Sequence, residues 1–224
     1  MNRIIQTALL LTTVFFMMSC GKKTEKTYYP DGTLSSEIEM KNGKRHGEAF
    51  VYYPDGKIKE RAVYNNGKLN GEWIAFHKNG KKKEVKYFVD GKQDSIHAVY
   101  KYGGQLIVKE HYKDGRLHGK ASYYDRQSLI LREEGYYKEG HKDGEWIYYD
   151  PNGRVAGRGK FENGTGTETF WYFGGEVRSK IHYLDGKKHG EEIIYSPKGE
   201  VIRKRIYNHG ELINDSTTVS LSGN

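Results

Sequence analysis

From Tyr28 to Gly210 the chain alternates short aromatic or β-branched runs with polar residues that end in glycine, and this pattern returns about every 24 residues. Gly71-Glu72-Trp73-Ile74-Ala75-Phe76 is followed by Lys78-Asn79-Gly80, by the run Lys81 to Phe88, and by Val89-Asp90-Gly91-Lys92. Asn-Gly and Asp-Gly between such runs are strong hairpin signals, because glycine accepts the positive φ that tight turns require. Each unit therefore predicts strand, tight turn, strand, turn. One glycine series is Gly32, Gly56, Gly80, Gly104, Gly153, Gly175 and Gly199; the other is Gly43, Gly67, Gly91, Gly115, Gly140, Gly164, Gly186 and Gly210. About eight units begin near residues 23, 47, 71, 95, 119, 144, 166 and 190. Glycine interrupts every stretch at roughly 10 to 13 residues, which leaves no place for helices.

Within the second strand of each unit an apolar residue stands six positions before the final aromatic: Leu34 with Met40, Ile58 with Tyr64, Leu106 with Tyr112, Leu131 with Tyr137, Val155 with Phe161, Val177 with Tyr183 and Val201 with Tyr207. An even separation predicts that each pair shares one sheet face. Lys82 replaces the aliphatic partner of Phe88. The first strands supply a column of Tyr28, Tyr52, Phe76, Tyr100, Tyr124, Tyr148 or Tyr149, Trp171 and Tyr195, and Trp73 shares one slot with Trp146. These columns are read as structural, as ladders of cross-strand neighbours. The fold class expected is all-β: an elongated antiparallel meander of about eight hairpin repeats of roughly 24 residues.

Composition suits an array better than a compact globule. The chain has 28 glycines and 19 tyrosines but only 4 prolines, and its mean hydropathy is −0.85. Such a polar chain would have trouble filling one deep core, yet 13% aromatic content argues against disorder. Repeats resolve this, since each unit buries a thin strip against its neighbours.

Gly-Glu-Trp-x-x-Tyr/Phe, then x-x-Asn/Asp-Gly and a second Tyr/Phe-x-x-Gly-Lys, resembles the MORN-repeat variant of bacterial exported proteins, YwqK-like antitoxins among them. The likeness covers residues 27 to about 213. The pattern is departed from at Asp94-Ser95, where Gly-Glu is lost, at Asp125 to Ser128, where the turn glycine is absent, and at Gly166-Thr167. The resemblance implies an elongated meander used as a membrane-proximal or scaffolding module, and no single chemistry. An antitoxin role fits poorly with export.

The first residues carry a separate signal. Asn2 and Arg3 precede an apolar run from Ile4 to Met18, too short for a span of roughly 20 residues and shaped like a secretory leader. Met17-Met18-Ser19-Cys20 resembles a bacterial lipobox, with Met17 where Leu is usual. Cys20 is the sole cysteine, so it cannot form an internal disulfide, and lipidation at Cys20 gives it a use. The expected organisation is a signal peptide at 1–19, a lipidated tether at 20–26, the array at 27–213 and a polar tail at 214–224. Gly21 provides no aspartate retention signal, so by analogy the outer membrane is the expected address, with sidedness left open.

Nine histidines raise the question of a metal. His46, His118 and His189 share the slot that Asn70, Asp94 and Asp143 fill elsewhere, and these residue types tolerate left-handed backbone, so a turn role is expected. No cofactor, metal or catalytic residue is expected: neither a Gly-x-Ser-x-Gly elbow nor a phosphate loop occurs. Glu48, Glu72, Glu145 and Glu191 recur in register, as a unit's own bonding does and a catalytic pair does not. Charge is the remaining clue. The net charge of +8 falls to +7 when the leader takes Arg3 with it. The candidate ligand face comprises Lys57, Lys59, Arg61, Lys83, Lys86, Arg178, Lys180, Arg203 and Arg205, and Tyr64, Phe88, Tyr112, Phe161, Tyr183 and Tyr207 join Trp73 and Trp146 as structural positions. The partners expected are the membrane through the lipid anchor and a protein, with an anionic lipid head group or envelope glycan as the alternative; no nucleic acid is expected, and the oligomeric state is left open.

Overall fold

The computed structural model describes residues 21–217, so the leader, Cys20 and the last residues of the polar tail lie outside the described residues. Eighteen strands follow one another with no helix between them. They are β1 (Lys23–Tyr28), β2 (Leu34–Lys41), β3 (Lys44–Tyr52), β4 (Ile58–Asn65), β5 (Lys68–Phe76), β6 (Lys82–Val89), β7 (Lys92–Tyr100), β8 (Leu106–Lys113) and β9 (Arg116–Leu117). The second half holds β10 (Gly119–Tyr124), β11 (Leu131–Lys138), β12 (His141–Tyr149), β13 (Val155–Glu162), β14 (Thr165–Trp171), β15 (Val177–Leu184), β16 (Lys187–Tyr195), β17 (Val201–Asn208) and β18 (Glu211–Thr217). All belong to one antiparallel sheet in which sequence neighbours pair, except that β9 and β10 both pair with β8 and form no ladder with each other. Among the described residues β1 pairs only with β2 and β18 only with β17, which leaves the sheet open at two exposed edges. Two boundaries differ from expectation. β1 starts inside the predicted tether, because Lys23 to Tyr28 form a ladder with β2, and β18 runs past residue 213 because Asp215 pairs across from Arg205.

The two glycine series make different turns. In Asn66-Gly67 and Asp90-Gly91 both residues have positive φ, as a two-residue I′ turn demands, and Glu139 and His209 adopt the same conformation without being Asn or Asp. In the other series Gly56 N–H donates to Tyr53 O at 2.9 Å and Tyr53 N–H donates to Lys57 O at 2.8 Å, a longer loop that closes on a left-handed glycine. The turn at Asp125 lacks that glycine. There Leu129 takes φ 62, and the Asp125 carboxylate accepts the Gln127 and Ser128 N–H groups, which hold its pKa down at about 2. The extra residue of this loop lengthens the repeat.

Two bulges recur. At the aromatic end Val51 stands opposite Glu60 but Tyr52 opposite Ile58, so Lys59 is an extra residue. This corrects the expectation that residues six apart share a face: a bulge breaks the alternation between them, and the aliphatic column pairs with the aromatic column instead, as in Tyr52–Ile58, Tyr149–Val155 and Tyr195–Val201. Tyr149, rather than Tyr148, belongs to that aromatic column. The second bulge sets Asn70, Gly71 and Glu72 against Val63. Gly71 has φ 117, and a Cβ there would lie 3.4 Å from Val63. The polar slot before this glycine does not itself take positive φ, contrary to expectation. Its side chains accept an N–H from the turn 20 residues later: His46 from Asn66, Asn70 from Asp90, Asp143 from Asn163 and His189 from His209. His118 departs, its buried Nδ1 lacking a hydrogen bond and sitting 3.3 Å from Glu139 Oε1.

Successive units are tied at both margins. Turn N–H groups reach back 22 residues, as in Gly91 to Leu69 O and Gly164 to Lys142 O, both 2.8 Å. At the opposite margin the hydroxyls of Tyr29, Tyr53 and Tyr172 donate to the carbonyls of Tyr52, Phe76 and Tyr195. Burial is correspondingly thin. Ala49, Ala62 and Ala98 are buried in the first half; Trp146, fully buried, packs with Ala121 and Phe161 in the second. Its ring needs the bare backbone of Gly135, where a Cβ would collide with the indole, and its Nε1 donates to Tyr136 O at 3.0 Å.

Candidate binding faces

One register row crosses the sheet without a slip, from Lys26 on β1 through Arg61, Ile74, Val85, Arg158, Thr169 and Lys180 to Ser216 on β18. It defines a first face. Residues one position away, such as Trp73, Lys86, His97 and Glu110, or Trp146, Glu168, Glu192 and Arg205, define the second.

The second face carries a polar network woven with tyrosines. Lys142 Nζ lies 4.2 Å from the centre of the Trp146 ring and 3.3 Å from Glu168 Oε1. Glu168 also accepts the hydroxyls of Tyr148 and Tyr183. Burial and this carboxylate push both phenols well up. Further along, His97 is clamped between Glu110, 2.8 Å from Nδ1, and Glu84, 2.9 Å from Nε2. The hydrogen bond to Glu110 raises the imidazole pKa; burial opposes this and Glu84 adds to it. Burial alone would raise Glu84 and Glu110, but the hydrogen bonds they accept hold both low. Tyr112, which donates to Glu110, is pushed up to about 12, first by burial. Glu192 repeats the arrangement with Tyr207, Lys188 and Arg205. These carboxylates are satisfied by the protein's own donors, so the face reads as the seam of the array.

The expected basic surface is divided. Arg61 and Lys180 stand on the first face, while Lys86, Arg203 and Arg205 stand on the second. Lys59, Lys83 and Arg178 are the extra residues of the same recurring bulge. Lys57 lies in a turn beside Asp55 at 3.0 Å. Much of the charge is neutralised locally: Arg61 by Glu48, Lys86 by Glu84, Arg203 and Arg205 by Asp215. Half-exposed pairs of this kind contribute about 0–1 kcal/mol each, but they remove charge from a polyanion's view. Of the predicted structural residues, Phe161 is buried and Tyr183 packs against it at 5.7 Å between centroids. Tyr64 lies under the Arg45 guanidinium, and Phe88 stands opposite Gly71.

A shallow trough opens where β13 meets β14. Its volume is about 610 Å³, and Glu145, Arg158, Lys160, Thr167, Thr169 and Trp171 line it. Here six consecutive pairs, from Gly157–Phe170 to Glu162–Thr165, run without a bulge. Loss of that bulge accounts for the 22-residue spacing between Gly164 and Gly186, and for the departure at Gly166-Thr167. The departure is visible in the sequence and the trough is not, because the trough forms only when three strands are in register. Among the described residues no group of three or more His, Cys, Asp or Glu side chains is arranged to hold a metal ion. No helix among them is long and apolar enough to cross a membrane.

The family model described as MORN repeat variant matches residues 23–42, 45–66, 69–90, 142–163 and 165–185. This chain is a MORN-variant repeat protein. The unmatched middle of this MORN-variant array holds Ser95, which takes φ 59 in a glycine slot, and the enlarged Asp125 turn. No curated protein matches the chain.

Proposed function

We propose that this MORN-variant protein is a lipid-anchored, non-enzymatic interaction module of the bacterial envelope that presents the faces of an open sheet to a protein partner. The observation that supports the reading best is the sheet itself: its ranks are tied only to their neighbours, and it presents two broad faces instead of enclosing a reaction chamber. With β1 beginning at Lys23, three residues after Cys20, an acylated Cys20 would hold the first strand against the bilayer. By the lipoprotein analogy the address is the outer membrane.

Labelled palmitate offered to cells producing the native chain or Cys20→Ala tests the anchor: label in the native chain alone is expected, and label in both or neither defeats it. Photo-crosslinking residues set at Lys59 and Lys83 in intact envelopes test the module, with a discrete adduct expected. Recovery of the chain in the cytoplasmic fraction would favour an antitoxin-like role instead.

A further inference from the structure

The trough, lined from β12, β13 and β14, is a local exception to the repeat, and two matched rows cross its floor and continue onto β15 beside it. Arg158, Thr169 and Lys180 are directly opposite one another across the three strands, and so are Lys160, Thr167 and His182. Each row sets a threonine between two nitrogen-bearing side chains. Strands lie about 4.8 Å apart and alternate residues about 6.8 Å apart along a strand, so the four corners mark a rectangle of about 10 by 7 Å. Its floor is low because threonine is short, while the arginine, lysines and Trp171 stand taller around it.

The corners differ in availability. Arg158 is held by Glu145 at 2.6 Å, and His182 Nδ1 meets the Thr167 hydroxyl at 3.0 Å. Lys160 and Lys180 enter no ion pair among the described residues. Thr169 lines the floor opposite Lys180, and its hydroxyl can both donate and accept. Trp171, two residues further along β14, closes one end and also borders a second recess of about 320 Å³ with Arg154, Phe173 and Arg178. Phe173 is 86% exposed, with the Arg154 guanidinium 4.8 Å above its ring.

We infer that this trough binds an acidic glycan, with a sugar ring stacked on Trp171, its hydroxyls on Thr167 and Thr169, and its carboxylate or phosphate met by Lys160 in the lining and by Lys180 at the edge on β15. The combination selects among polyanions. Lysines alone would serve any of them, but an aromatic platform beside paired hydroxyls matches the alternating apolar face and polar rim of a sugar. A flat bilayer surface would meet the tall cations and leave the floor untouched. In the other described hairpins the first row continues, but the second bulge or a slip breaks the equivalent of the Lys160–Thr167 row, which is why the paired rows occur once among the described residues. The inference rests on the non-enzymatic reading above and adds a ligand class to it.

The test is titration of the full chain in detergent with an oligogalacturonate, beside neutral dextran, polyglutamate and phosphatidylglycerol vesicles. Binding to the uronate oligomer should exceed that to the other three. It should weaken at least about tenfold in Lys160→Gln/Lys180→Gln and in Trp171→Leu, and change less than about twofold in Lys113→Gln/Lys138→Gln, an exposed pair that tests general charge. The melting temperature of each variant is measured alongside. The exposed lysine pair is the decisive variant, since neither side chain holds the sheet together. Equal affinity for polyglutamate, affinity for vesicles alone, or an unaltered lysine-pair variant would overturn the inference. A crosslinked protein partner found together with no glycan binding would remove the glycan site and leave the module.

Discussion

Two tryptophans in one repeat slot show how far a single residue depends on its neighbours. Trp146 is fully buried over Gly135 and opposite Gly159, whereas Trp73 sits between Ala62 and Lys86 and keeps partial exposure. Trp146→Ala should therefore cost about 3–5 kcal/mol and Trp73→Ala clearly less, as read from urea unfolding. The slot was legible in the sequence; the depth of burial was not, because it is set by glycines on two neighbouring strands. His97 supports a pH prediction. Its imidazole faces Glu84 and Lys86 on β6, Glu110 and Tyr112 on β8, and Tyr123 on β10, whose hydroxyl donates to Glu110. The folded-state pKa of His97 is raised, so its stabilisation is full below the ordinary value of about 6.5 and is lost as pH rises through the folded value. Unfolding midpoints should fall across that window above about pH 6.5, and His97→Gln should flatten that part of the profile. An identical slope in the variant would remove His97 as the cause.

Hairpins and bulges are the units that set the repeat length. The Asn-Gly and Asp-Gly pairs announce the I′ turns because few other residues accept two consecutive positive φ values. Glu139-Gly140 and His209-Gly210 make the same turn, carried by the stacking of neighbours instead of by propensity. The bulges escaped the sequence reading. A strand with one extra residue looks the same as a strand without it until its partner is known, so spacing alone puts the six-residue pairs on one face although the bulge separates them. Turn glycines should also differ in importance. Gly43 has φ 72 and open space where a Cβ would go, while at Gly164, φ 82, a Cβ would lie 2.8 Å from Gly186 N. Gly43→Ala is expected to cost roughly 1–2 kcal/mol, the left-handed penalty alone; Gly164→Ala should cost more, since the next turn must move. Equal melting temperatures for the two variants would contradict the stacked-turn account.

At the scale of the whole molecule, stability is distributed along the array. Each rank touches its neighbours, the described residues form no deep centre, and the open edges β1 and β18 are exposed throughout. A compact chain of this length would have a radius of gyration of about 17 Å, whereas the open sheet, at about 4.8 Å per strand, extends towards 80 Å. Small-angle scattering should therefore give a radius clearly above the compact value; a value near 17 Å would mean that the sheet folds back on itself. The sequence by itself determined the class, the repeat count and the turn positions, because glycine spacing and two-residue alternation are local properties of the backbone. Only the tertiary structure decided which face each charge occupies, which carboxylate neutralises it, and where Lys160, Lys180 and Trp171 meet. Those outcomes depend on cross-strand register, and a single extra residue in a bulge changes the register without changing the pattern that predicts the strand.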